Sequence, residues 1–160
     1  MYLKMKKRIF LALLAAVSTI VMVGCGKDDK KDDPQPAKVS AEAKYTETDN
    51  SVVFTYPDDA TNPTCSTTVT YKFDGDKVVE NTAVVVCCSA ALVEEMIKVY
   101  ESEKDLKDNI EKIEKNGNTI TVTYKLDEDV DKDAAIFGAR VIAEAMGCEN
   151  VPEAELTIGD

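Results

Sequence analysis

The chain has 160 residues, 30 of them acidic against 19 basic, with five cysteines and neither histidine nor tryptophan. A net charge of −11 disfavours electrostatic binding to nucleic acid or to an anionic membrane. The missing histidine removes Ser-His-Asp and Cys-His catalysis.

Lys4, Lys6, Lys7 and Arg8 form a basic start, and Ile9 to Val23 then runs apolar except for Ser18 and Thr19. A charged opening, an apolar stretch of about fifteen residues and small residues after it are the parts of an export signal. A membrane-spanning helix needs roughly 20 apolar residues. The Gly24-Cys25-Gly26 flank also breaks a helix instead of extending one. Met22-Val23-Gly24-Cys25 resembles the lipobox of bacterial lipoproteins, with Met22 where leucine is more usual. The resemblance implies cleavage before Cys25, a diacylglycerol on its sulfur and an acylated new amino terminus, in the manner of a palmitate-bearing anchor. Two or more chains hold a protein at a membrane where one gives only marginal binding.

Gly26 to Pro36 is charged, bears two prolines and has no side chain to bury, so it reads as a disordered tether spanning roughly 20 Å. Lys27-Asp28-Asp29 after Cys25-Gly26 resembles the short acidic surface-export signal of Bacteroidota-type lipoproteins. That resemblance implies an outer-membrane protein facing the cell exterior. The expected organisation is a signal peptide over 1–24, a lipidated cysteine and tether over 25–38, and one domain over 39–160. Cleavage removes four cations and no anion, taking the net charge from −11 to −15.

Four cysteines remain: Cys65, Cys87, Cys88 and Cys148. An even count in an exported chain favours two disulfides over free thiols or zinc, whose short paired spacings are missing. A vicinal Cys87–Cys88 link is strained, which leaves Cys65 bonded to one of that pair and Cys148 to the other.

Val39–Glu47 and Ser51–Tyr56 read as strands around the turn Thr48-Asp49-Asn50. Cys65–Phe73 alternates, with Val69, Tyr71 and Phe73 on one face and Thr68, Thr70 and Lys72 on the other. Asp74-Gly75-Asp76 is a hairpin turn, and Val78–Cys87 returns as a central strand. Pairing Asp74 with Lys77 places Cys65 beside Val86, within reach of Cys87 and Cys88. Ser89 caps a helix with its stripe at Leu92, Val93, Met96, Ile97 and Tyr100.

Residues 105–115 are ambiguous. Leu106, Ile110 and Ile113 fit a helical stripe, yet Asn116-Gly117-Asn118 announces a hairpin whose second strand, Ile120 to Leu126, alternates cleanly. A hairpin is the expectation. A last helix runs from about Asp131 to Met146, burying Ala135, Ile136, Ala139, Ile142, Ala143 and Met146, and stops at Gly147. The order ββββαββα predicts an α+β fold, an antiparallel sheet of about six strands with two helices packed on one face.

Asp127, Asp129 and Asp131 are similar in spacing to the opening of an EF-hand loop and form the one weak metal candidate. Lys132 stands where that loop needs glycine, and Gly138 where it needs a bidentate glutamate. The alternative is a helix start with an aspartate cap. No glycine-rich loop cradles phosphate, so no cofactor is expected. Tyr45, Tyr56, Tyr71 and Tyr124 are the candidate ligand face on the sheet, because tyrosine combines apolar area with a polar end. The threonine-rich faces (Thr67, Thr68, Thr70; Thr119, Thr121, Thr123) would then be the solvated side. The expected role is a non-catalytic domain binding a glycan or protein outside the cell. The alternatives are a small carboxylate-dependent hydrolase and an enzyme inhibitor using the loop Pro57–Thr64.

Overall fold

Six strands form one antiparallel sheet in the order β1-β2-β3-β4-β6-β5, in a computed structural model that describes residues 42–59 and 63–154. The strands are β1 (Lys44–Thr48), β2 (Ser51–Pro57), β3 (Cys65–Asp74), β4 (Lys77–Cys87), β5 (Ile110–Asn116) and β6 (Thr119–Tyr124). Three helices accompany them: α1 (Ala90–Ser102), the short α2 (Lys104–Asn109) and α3 (Lys132–Ala145). The fold is α+β, with α1 and α3 both on one face of the sheet. Met96 of α1 meets Cys65 and Cys87 there, while Lys132 of α3 lies 5.7 Å over the Phe73 ring.

Alternation decides which side chains meet the helices. One row runs across the whole sheet, Tyr45–Phe54–Val69–Ala83–Val122–Ile113, and a second runs Tyr56–Thr67–Val85–Ile120–Lys115. Val52, Tyr56, Val85, Ile120 and Val122 are wholly buried. From the helices come Val93, Met96 and Tyr100 of α1 and Ala135, Gly138, Ala139, Ile142 and Ala143 of α3. The small residues of α3 let its backbone lie close to the sheet. Ile136 and Met146, expected inside, are half-buried.

Local chemistry fixes the ends. Ser89 accepts from the Leu92 amide at 3.3 Å and caps α1. Asp131 accepts from Ala134 N at 2.8 Å and caps α3. At the far end of α3, Gly147 takes a φ of 78°, Gly147 N donates to Glu144 O and Cys148 N donates to Ala143 O. That pair of bonds is a Schellman stop, which requires the left-handed conformation glycine accepts freely.

The β3–β4 hairpin departs from the expected register by one residue. Asp74 does face Lys77 and Phe73 faces Val78, but Lys72 faces Glu80, so Val79 is bulged out. The extra residue moves Cys65 from beside Val86 to directly opposite Cys87, and the two are disulfide-bonded with Cα atoms 4.1 Å apart. Cys88 N donates to Thr64 O at 2.7 Å, which makes the adjacent Cys65–Cys87 the non-hydrogen-bonded pair, where side chains come closest.

The second expected bridge, between Cys88 and Cys148, does not form, and both thiols are free. Cys88 follows Cys87 and so points to the opposite side of the sheet. The Schellman stop holds Cys148 on the helix side, with its sulfur 3.5 Å from Thr55 O of β2. Thr55 and Cys88 are separated by roughly 10 Å across the strands and 13 Å along them. A disulfide tolerates Cα atoms at most about 7 Å apart.

The ambiguous segment divides. Lys104–Asn109 is helical, and Ile110–Asn116 is the outer strand of a hairpin closed by Gly117-Asn118. Among the described residues there are therefore three helices, not two.

Candidate functional site

Cys25 and the tether lie outside the described residues, as do residues 60–62 of the expected inhibitor loop. The base of that loop is pinned. Asp58 N donates to Cys65 O at 2.9 Å, and the Asp58 carboxylate accepts from the Thr64 amide and hydroxyl.

The tyrosine face is not a surface. Tyr45, Tyr56, Tyr71 and Tyr124 are 9%, 0%, 6% and 4% exposed, all on the helix-covered side. Burial pushes the pKa of each hydroxyl upward, because the phenolate would lose its hydration. Tyr56 stands opposite Thr67 on β3, and Tyr71 stands opposite Asn81 on β4. Tyr124 Oη and Asn81 Oδ1 are buried with no partner among the described residues. Thr67, expected on the solvated side, is buried with this group. These hydroxyls are a polar lining inside the core.

Tyr45 has a different role. It donates to Glu47 Oε2 at 2.5 Å, and Arg140 of α3 grips the same carboxylate with two bonds, Nε to Oε2 at 3.0 Å and Nη2 to Oε1 at 2.7 Å. Arg140 Nη1 also donates to Glu153 O. A planar fork on a carboxylate gives direction as well as attraction, so this clamp fastens β1 and the segment after α3 to the helix. The Arg140 guanidinium is the chief cause holding the Glu47 carboxyl below its ordinary range.

The acidic run is committed to local structure. Asp127 Oδ1 accepts from Asp129 N at 3.1 Å, and Asp131 caps α3. Lys132, the supposed glycine position, donates to Asp49 O and ties α3 to the β1–β2 turn. An open depression of 420 Å³ lies beside Asn109 and Lys125–Asp129. Among the described residues no three cysteine or carboxylate side chains converge as metal ligands, so Asp127, Asp129 and Asp131 do not form the EF-hand-like site.

The other face of the sheet is the feature that composition did not announce. Its central four strands present three rows: Val53–Thr70–Thr82–Thr123, Thr55–Thr68–Val84–Thr121, and Pro57–Ser66–Val86–Thr119. Every one of these positions is uncharged, and all but Ser66 and Pro57 are β-branched. Such side chains have few rotamers and hold a fixed relief. Val86 is 38% exposed, Ser66 is buried and the other positions of the grid are half-buried, while α1 and α3 lie on the opposite face. Charges form the rim: Lys72 pairs with Glu80 at 2.8 Å at one end, and Lys112 with Glu114 at 2.8 Å along β5. Strand spacings make the grid roughly 14 Å on a side, on the order of 300 Å² with its side chains, the size at which a surface patch is often functional.

Thr68, Thr70, Thr119, Thr121 and Thr123 lie on this side as expected, and Val53, Thr55, Thr82, Val84 and Val86 join them unannounced. The signal was present in parity. Val53 and Thr55 alternate with the apolar Val52, Phe54 and Tyr56, so they had to point the other way.

The carboxylates with resolved shifts, Glu47, Glu94 and Asp108, are all lowered, each by hydrogen bonding to a cation: Arg140, Lys115 and Lys104 respectively. A general acid for glycoside hydrolysis needs the opposite shift. No helix among the described residues is long and apolar enough to cross a membrane. Comparison with protein-family models, with curated proteins and with solved structures finds no match for this chain.

Proposed function

We propose that the chain is a lipid-anchored protein of a bacterial outer membrane, held by acyl chains on Cys25 and facing the cell exterior, whose domain binds a protein on its open sheet face. The observation that carries this reading is the uncharged grid of threonine, valine and serine on a chain otherwise crowded with acids. An interface core is typically depleted of charge and rimmed by polar groups, and this face has that layout. A protein partner is favoured over a glycan because a sugar platform needs exposed aromatic rings, and the sheet tyrosines are buried. The domain works by binding, without catalysis.

The test is photo-crosslinking on intact cells. A photoreactive residue replaces Thr121 at the centre of the grid or, as control, Glu95 on the exposed side of α1. The proposal expects a covalent adduct of defined mass from position 121 and none from position 95. No adduct from 121, or the same adducts from both, contradicts it. Saturable binding to an oligosaccharide array would replace the protein partner with a glycan.

A further inference from the structure

β5 ends the sheet, and among the described residues no strand pairs with its outer side. Its sequence is Ile110-Glu111-Lys112-Ile113-Glu114-Lys115-Asn116. Charged edge strands ordinarily ward off partners, but these charges are arranged to complement their own reversed copy. We propose that β5 is a self-recognition edge, on which a second copy of this chain pairs antiparallel about Ile113 to join two six-stranded sheets into one.

The hydrogen-bond phase allows this register. The two-residue loop Gly117-Asn118 makes Asn116 and Thr119 a hydrogen-bonded pair. Alternation then commits the backbone groups of Lys112, Glu114 and Asn116 to Thr123, Thr121 and Thr119 of β6. Ile113 and Lys115 turn theirs outward. A two-fold axis at Ile113 therefore places two outward-facing residues together, ready to exchange both bonds. In that register Lys112 faces Glu114 of the second copy and Ile113 meets itself, while Lys115 lies toward the bulged start of the other strand at Glu111.

The neighbouring registers are excluded by charge. An axis at Lys112 sets that lysine on its own copy, and an axis at Glu114 sets glutamate on glutamate. Like charges directly opposite are destabilising, whereas opposite charges attract. Within one chain Lys112 pairs with Glu114 and Lys115 with Glu94, all on well-exposed side chains that can turn to a partner. The bulge at Glu111 lies at the strand's start and leaves Lys112–Asn116 regular. Since the axis stands normal to the sheet, both helix layers fall on one side and both threonine grids on the other.

The test uses the full chain in detergent, followed by sedimentation up to about 1 mM. One variant carries Lys112→Glu and Lys115→Glu, the other Glu111→Lys and Glu114→Lys. The parent chain should dimerise, each variant alone should dissociate at least about tenfold more readily, and an equimolar mixture should restore a dimer of one copy each. Amide exchange supplies a second readout on the unaltered chain. Ile113 and Lys115 should slow as concentration rises, while Lys112 and Glu114 stay constant. A parent chain that remains monomeric, variants that dimerise as well as the parent, or a mixture that stays dissociated would each overturn the proposal.

Discussion

Reducing the Cys65–Cys87 disulfide is the perturbation whose size follows most directly from the structure. Both sulfurs remain in place after reduction, still buried against Met96, so the native packing is little changed and the unfolded chain gains most of the freedom. The bond closes a loop of sequence separation 22, for which the chain-entropy relation gives about 3 kcal/mol. With a urea dependence of roughly 1.5 kcal/mol per molar for a domain of this size, the unfolding midpoint should fall by about 2 M. Denaturation curves of the same preparation, with and without a dithiol, make the comparison. Alanine at Cys88 or Cys148 should show no loss of the cross-link term, since neither is bonded. A midpoint shift below about 0.5 M, or an unchanged curve in Cys65→Ala, would refute the assigned pairing.

The two faces of the sheet respond differently to truncation. Val122→Ala, in the centre of the covered row, should cost about 2–3 kcal/mol, whereas Val84→Ala on the open face should cost less than about 1 kcal/mol by thermal unfolding. Equal losses would mean that both faces are covered. Acid should loosen the Arg140 clamp. The Glu47 pKa is lowered in the folded state, so its stabilisation is present above the ordinary value of 4.5 and is lost as pH falls through the lower folded value. Arg140→Ala should cost about 1–2 kcal/mol at neutral pH, with a smaller penalty in acid, measured by urea unfolding between those conditions. Gly147→Ala should cost about 1 kcal/mol through backbone strain alone, because a Cβ there would meet nothing within 4 Å. A neutral result would show that the helix stop does not need its left-handed residue.

Where side chains alternate without interruption, the strands were legible. Thr119 to Tyr124 and Cys65 to Phe73 lie as their parity demands, and the α1 and α3 caps fall at Ser89 and Asp131. What misled was an extra residue. Ile110 and Ile113 are three apart, a helical spacing, yet both turn toward the helices because the bulge at Glu111 absorbs one position. Val79 does the same in β4 and turns an expected Cys65–Val86 neighbourhood into the Cys65–Cys87 bond.

The tyrosines were misplaced for a chemical reason. A hydroxyl suggests water, but Tyr56, Tyr71 and Tyr124 share parity with Phe54, Val69 and Val122, and parity prevailed. The open grid was only half visible, because its valines look like core until the register sets them beside threonines.

Intact mass spectrometry of the protein extracted from the cell envelope, denatured and alkylated without reduction, reaches furthest into the account. An acylated chain beginning at Cys25 and carrying two alkyl groups, on Cys88 and Cys148, is the expected result, with two more groups appearing after reduction. An unprocessed, lipid-free chain, or one with all four remaining thiols protected before reduction, would contradict the anchoring and the cysteine pairing on which the proposed role depends.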